Sequence, residues 1–426
     1  MTYSEGQSGH LATHAAIDVS IAQHATDIAS VATDLATLET GLPATFAPKA
    51  IPTLCVLGDS ITEQGGILPG NLNRNRTSPW PWGLNLSGQR LDILGNDGVG
   101  GDKTYQVLAR VTNVVAKNPG YCHVLAGTND VWNDIATATT TANLDAIVEA
   151  LLAAGIRVFI GTIPPKDGGT TTQRALQAAA NDHIRQMPYL YSNVTLVDYE
   201  AVLTDPTTGI YPTGWSADGT HLVNNGGFAA GREFARVIAA TVPENNRLAT
   251  SKFGTVNLLG NAGRFFLGNG SPGGGWQQAQ YSVAPTNTRV ARADNILGTM
   301  QQAVIPDGDK CTYTVNVPIS ADMAVGDTVE MVLEYDLSNV DPTISGTGKA
   351  FTSGIQAYVN SAFIGPNMRY DLWMTSTTEV PPITSRSGVF RTPPLLIPAG
   401  TTLIQCFVYA WHGCTVKFDR AILRKV

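Results

Sequence analysis

Between residues 51 and 242, short apolar runs alternate with stretches of helical periodicity. The runs lie at 54–57, 92–95, 122–126, 157–161 and 194–198, and the helical patterns at 104–116, 144–154, 171–186 and 227–240. Val107, Leu108, Val111, Val114 and Val115 recur at helical spacing, as do Leu144, Ile147, Val148, Leu151 and Leu152. A strand that leaves a sheet through a crossover helix re-enters it parallel to its predecessor. The alternation therefore predicts an α/β fold, one parallel sheet with helices on both faces. In such sheets the loops at the carboxyl ends of the strands lie along one edge, where residues distant in sequence can share a site.

The flanking segments have different textures. Residues 1–50 carry heptads, with His14, Ile21, Ile28 and Leu35 at a and Ile17, His24, Val31 and Leu38 at d. A sustained seven-residue repeat fits a coiled coil. β-branched residues at both core positions favour three strands, hence a homotrimer. Two core histidines, and Asp18, Asp27, Asp34 and Glu39 with no basic partners, fit a single amphipathic helix as well. Gly41 and Pro43 end the helix in either case. Pro243 stops the last central helix, and a polar linker over 243–255 follows. Residues 256–426 hold alternating runs, such as 312–317 and 328–333, separated by Gly, Pro and Asp. That is an all-β sandwich pattern, and 43 Gly and 24 Pro supply its turns.

Four loops carry chemistry. Gly58-Asp59-Ser60 follows the first run, Gly98-Val99-Gly100-Gly101-Asp102 the second and Gly127-Thr128-Asn129-Asp130 the third, while Asp218-Gly219-Thr220-His221 precedes the last helix. Acyl transfer needs a nucleophile, a base, a group that orients the base and donors for an oxyanion. Ser60 can attack, and His221 can take its proton because imidazole titrates near neutrality. Asp218 can hold the other ring nitrogen. The Ser60 and Gly101 backbone N–H groups and the Asn129 side-chain amide can face the oxyanion, whereas Asp102 and Asp130 read as structural acceptors of loop amides. Trp80, Trp82, Trp132 and Trp215 fall in loops near these motifs, where flat rings can stack on sugars or simply pack in the core.

The same motifs, in the same order, resemble the conserved blocks of the SGNH (GDSL-like) hydrolases. Gly58-Asp59-Ser60-Ile61-Thr62 resembles the first block, residues 96–104 the second, Gly127-Thr128-Asn129-Asp130 the third, and Asp218-Gly219-Thr220-His221 the block that supplies the acid and base. The resemblance covers 51–242 and implies a flavodoxin-like three-layer esterase. It implies Ser60, His221 and Asp218 as the triad, Ser60, Gly101 and Asn129 as the oxyanion hole, and no cofactor. Gly100 and Lys103 depart from the Ser and Thr that many members carry there. An Asn-Leu opening at 257–258, Gly275-Trp276, and an ending of Asp419 with Leu423 are similar to jelly-roll carbohydrate modules of the galactose-binding kind. Together the three segments look like a bacteriophage tail-fibre or tailspike protein. This implies O-acetyl groups of a glycan as substrate. A virion fibre on a non-catalytic hydrolase scaffold, and a lipid esterase or thioesterase, remain alternatives.

Composition narrows the classes. A formal net charge of −7 without a basic stripe argues against a nucleic-acid partner. Five cysteines with no CxxC pair do not suggest zinc or any other metal site. Cys55 and Cys122 read as buried free thiols, and a Cys406–Cys414 disulfide stays open. No apolar run is long enough for membrane insertion. The N-terminus lacks the apolar core of a signal peptide, so the expected location is a virion or release by lysis.

Overall fold

The apolar runs form five strands: β1 (Thr53–Gly58), β2 (Asp92–Gly98), β3 (Tyr121–Leu125), β4 (Arg157–Gly161) and β5 (Val194–Val197). The computed structural model describes residues 52–66, 77–243, 257–259, 275–279, 282–292, 299–340, 349–364, 368–374, 385–392, 394–411 and 413–426. The chain divides into two compact units, Met1–Pro48 and Lys49–Val426. The heptads of residues 1–50 lie outside the described residues.

The five strands are all parallel and lie in the order β2-β1-β3-β4-β5. β1 is covered on both faces, which is why its sequence reads as an unbroken apolar run. On one face Cys55, Leu57, Val124 and Ile160 pack against Val107, Leu144 and Ile184. On the other, Leu54, Val56 and Phe159 pack against Trp80, Phe234 and Ile238. The chain runs from β1 outward to β2 and then returns past β1 to β3. The carboxyl ends of β1 and β3 therefore flank a topological switch point, where an open α/β sheet leaves a crevice.

The described helices are α1 (Ser60–Glu63), α2 (Pro79–Leu86), α3 (Thr104–Ala109), α4 (Val111–Lys117), α5 (Thr128–Trp132), α6 (Thr137–Ala153), α7 (Thr171–Leu190), α8 (Tyr199–Leu203) and α9 (Asn224–Thr241). The single helix expected over 104–116 is two helices. Arg110, at φ −100° and ψ 0°, ends the first and starts the second. The start of α6 was illegible because Thr137–Leu144 opens with Thr and Ala, which leave no apolar trace. Trp80, Trp82 and Trp132 sit in helices rather than loops.

Beyond Pro243 every described element is a strand. These are β6 (Gln277–Ala279), β7 (Thr286–Ala291), β8 (Thr299–Ile305), β9 (Lys310–Pro318), β10 (Thr328–Ser338), β11 (Lys349–Val359), β12 (Ala362–Phe363), β13 (Met368–Met374), β14 (Arg386–Arg391), β15 (Leu395–Leu396), β16 (Leu403–Trp411) and β17 (Cys414–Lys425). They make two sheets, β14-β10-β17-β8-β7 with β15 on β10, and β12-β11-β16-β9-β6 with β13 on β11. Val329, Met331, Leu333 and Tyr335 alternate along β10 into the same core as Tyr313, Ile355, Ile404 and Cys406 of the other sheet. All five cysteines are free and buried. The Cys406–Cys414 disulfide does not form: both thiols are free and buried, one within β16 and the other at the start of β17. Asn257 ties the opening segment to the closing strand: its side chain accepts from the Leu423 amide at 3.1 Å and donates to the Ala421 carbonyl at 2.8 Å.

The sandwich is fastened to the α/β portion through α2. Asn85 donates to the Val389 carbonyl at 3.0 Å and accepts from the Tyr335 hydroxyl at 2.7 Å, both buried. Arg391 bridges Asp92 at the start of β2 and Glu330 of β10. Trp82 and Phe228 extend the sandwich core into the α/β portion.

Candidate active site

The four chemistry-bearing loops converge at the carboxyl ends of β1, β2 and β3. Asp59 caps α1, its Oδ1 accepting from the Ile61 amide at 3.0 Å, and this cap sets Ser60 at the first position of the helix. The Ser60 Oγ lies 2.8 Å from His221 Nε2, and His221 Nδ1 lies 2.7 Å from Asp218 Oδ2. These three side chains, 161 residues apart at the extremes, form one hydrogen-bonded row.

The Asp218–His221 turn is built to hold that row. A bridge between Ser216 and Leu222 closes it, and the Ala217 amide and Ser216 hydroxyl both donate to the His221 carbonyl at 2.9 Å. Gly219 has φ +79°, and a Cβ there would lie 2.7 Å from Asp167, so the turn takes only glycine without strain. The Asp167 amide donates to the Gly219 carbonyl at 2.9 Å, which ties the turn to the loop after β4. Burial acts to raise the Asp218 carboxyl, but the His221 amide and ring and the Thr220 amide outweigh it and hold the group down at about 2. The carboxylate therefore stays ionised across the neutral range. Burial pushes the Asp59 carboxyl up to about 6, against the pull of the Ile61 amide, His221 and Thr128.

The expected oxyanion donors stand on the loops after β1, β2 and β3, and a Cβ at Gly100 would lie 3.7 Å from the Ser60 Cβ. Asn129, in the first turn of α5, donates one side-chain N–H to the Asp102 carbonyl at 2.9 Å. A primary amide has a second N–H to offer a ligand. Gly101 is exposed at φ +82°. Gly100 faces Glu63: a Cβ there would come 2.9 Å from Glu63 Oε2, so serine at this position would press on that side chain. Asp130 accepts from the Thr104 amide at 2.8 Å and its hydroxyl at 2.5 Å, as expected of a structural acceptor. Asp102 instead pairs with the Arg110 guanidinium.

The tryptophans divide. Trp80 is buried, with its Nε1–H donating to the Thr62 carbonyl at 3.0 Å. Trp82 is buried edge-on to Phe228 at 5.5 Å between ring centroids. Neither ring has a face to offer a sugar, so the structure corrects their assignment as substrate contacts; both are core residues. Trp215 is half-buried against the core beside the Asp218 turn. Trp132 is half-buried at the end of α5, one turn beyond Asn129, with the Lys166 ammonium 2.9 Å from its ring centroid. Burial lowers the Lys166 pKa, and the nearby Asp218 charge opposes it. Sequence reasoning passed over Lys166 and Arg110, which lie in no motif. The only trace of Arg110 is a lone charge within an otherwise apolar helical pattern.

Among the described residues, no group of three or more His, Cys, Asp or Glu could hold a metal ion, and no helix is long and apolar enough to cross a membrane.

Residues 56–226 match the GDSL-like Lipase/Acylhydrolase family. This segment holds the row from Ser60 to His221, and the parallel sheet fits the fold expected for that family. The family implies ester hydrolysis as the reaction class. An acetylxylan esterase from Geobacillus stearothermophilus is similar in structure at 21% identity, covering 44% of this chain and 94% of its own, with a TM-score of 0.37. A member of the lipolytic protein G-D-S-L family from Veillonella parvula has 18% identity, coverage of 44% and 98%, and a TM-score of 0.37. A GDSL-like lipase from Bacteroides thetaiotaomicron has 17% identity, coverage of 49% and 96%, and a TM-score of 0.36. No curated protein matches the sequence.

Proposed function

We propose that this protein is a serine esterase that removes O-acetyl groups from a polysaccharide. Ser60 Oγ attacks the acyl carbon as its proton passes to His221 Nε2. Asp218 fixes the ring tautomer and steadies the imidazolium. The carbonyl oxygen, now anionic, is met by the Ser60 and Gly101 backbone N–H groups and the Asn129 amide. Collapse breaks the ester C–O bond, and the sugar oxygen leaves with the proton from His221. Water, deprotonated by the same imidazole, then attacks the acetyl-serine and releases acetate and the free hydroxyl. The reaction needs no cofactor.

One observation carries the reading: the continuous row in which Ser60 Oγ meets His221 at 2.8 Å and His221 meets Asp218 at 2.7 Å. The substrate class rests on less, namely the half-buried Trp132 and Trp215 and the β-sandwich fastened to the α/β portion at Asn85 and Asp92. A homotrimeric setting rests on the heptads of residues 1–50, and a fibre-like setting on a virion on those heptads together with the order of the three segments.

The test is acetate release from a panel of O-acetylated polysaccharides, run beside 4-nitrophenyl esters of increasing chain length. Release from at least one acetylated glycan, with synthetic activity falling steeply beyond short acyl chains, is expected. Activity that rises with chain length would assign a lipid esterase instead, and no ester hydrolysis at all would leave the hydrolase portion a scaffold.

A further inference from the structure

We infer that Arg110 is a positioning residue for all three oxyanion donors, holding them from behind the site. The inference rests on the proposed esterase reaction. Arg110 stands at the break between α3 and α4. Its Nη2 donates to the Gly58 carbonyl at 3.0 Å and the Asp97 carbonyl at 3.2 Å. Its Nη1 donates to the Gln106 carbonyl at 3.1 Å and pairs with the Asp102 carboxylate.

Two of these contacts, to Gly58 and to Asp102, lead to the donors. Gly58 ends β1, two residues before Ser60. Asp102 follows Gly101 in the chain, and its carbonyl accepts from the Asn129 side chain at 2.9 Å. One guanidinium thus grips the strand end that delivers Ser60 and the residue that follows Gly101. Through that same residue it reaches the amide of Asn129. A Cβ at Gly101 would meet nothing within 4 Å. The loop is also held by backbone bonds from Val99 to Gly58 at 3.1 Å and from Asp102 to Val99 at 3.3 Å, and beyond Asp102 by the Lys103 amide on Gln106 at 3.1 Å and the Thr104 amide on Asp130 at 2.8 Å.

The residue type matches the task. A planar guanidinium presents five donors in a fixed fork, so it can satisfy several acceptors from separate segments at once. A lysine ammonium can keep the charge pair but cannot span the same set. Nor is this an ordinary surface pair, since the Arg110 and Asp102 side chains are only 20% and 10% exposed. Oxyanion donors work by being aimed before charge develops, so loosening their support weakens the transition state more than substrate binding.

The experiment compares Arg110→Gln, Arg110→Lys and Asp102→Asn in the full chain on 4-nitrophenyl acetate, with Asn129→Ala introduced into each. Arg110→Gln is expected to lower kcat by about 10- to 100-fold, with KM changed no more than about twofold. Arg110→Lys and Asp102→Asn should fall in between. Asn129→Ala should cost less in each variant than in the parent, because a misaimed donor has less to lose. A purely structural role would lower thermal stability while leaving the two effects additive. If Arg110→Gln does not fold, the other two variants carry the same comparison. Unchanged kcat in the folded variants, a rise in KM alone, or full additivity with Asn129→Ala would overturn the inference. A Ser60→Ala control that keeps activity would overturn the esterase reading itself, which is a separate outcome.

Discussion

Replacing Asp59 with Asn gives a stability change whose sign and size follow from burial. Asp59 is completely buried, and its carboxyl titrates at about 6 in place of its ordinary 3.8. The folded protein thus binds this proton more tightly than the unfolded chain does. The stability that Asp59 contributes is fully present below the unfolded value and is lost as pH rises through about 6. A shift of roughly 2 units corresponds to about 3 kcal/mol over the whole window. On the same linkage, about 2 kcal/mol of that falls between pH 4.5 and 7.5. Asn keeps an oxygen for the Ile61 amide, so the cap of α1 survives while the charge does not. Urea unfolding of both proteins at pH 4.5, 6 and 7.5 measures the difference, in which titrating groups not coupled to Asp59 cancel. The variant should gain on the parent by about 2 kcal/mol from the lowest pH to the highest. A difference that is flat with pH, or that turns against the variant as pH rises, would show that the Ile61 amide and His221 outweigh burial, and would refute the reasoning.

Asn129→Ala should lower kcat on 4-nitrophenyl acetate by about 10²- to 10³-fold with little change in KM; a selective rise in KM would move this amide from the oxyanion to ground-state binding. Trp132→Ala should raise KM for an acetylated oligosaccharide while leaving 4-nitrophenyl acetate almost untouched, and equal effects on both substrates would remove it as a sugar contact. Trp80→Phe, in contrast, should cost about 2 kcal/mol of stability through the lost bond to the Thr62 carbonyl and the core volume left empty and leave KM for both substrates unchanged. A raised KM would return Trp80 to the site.

What could be read from the sequence was whatever leaves a periodic or local mark. β1, β3 and β4 show as apolar runs because both of their faces are buried, and the Ser60, Asn129 and His221 loops show as short motifs at strand ends. The parallel sheet then brings those loops together, since strand ends in that fold lie along one edge. Features that depend on side chains meeting across the fold left no mark. Arg110 breaks a helix that apolar periodicity joins, and its partners come from three separate segments. Trp80 and Trp82 look like loop aromatics because Pro79 and Pro81 disguise the short helix that buries them. The hold between α2 and β14 joins residues 304 apart through Asn85 and Val389, a contact no local pattern could announce.

The central claim is that Ser60 is the nucleophile, and the most direct test is the rate of acetate release from 4-nitrophenyl acetate by the Ser60→Ala protein. The side chain is small and sits at the first position of a four-residue helix, so the fold should persist. Removal of the nucleophile in such a triad lowers kcat by about 10⁶-fold and leaves only the residual contribution of binding and the oxyanion donors. A Ser60→Ala protein that releases acetate as fast as the parent would contradict the account, whatever the geometry between Ser60 and His221.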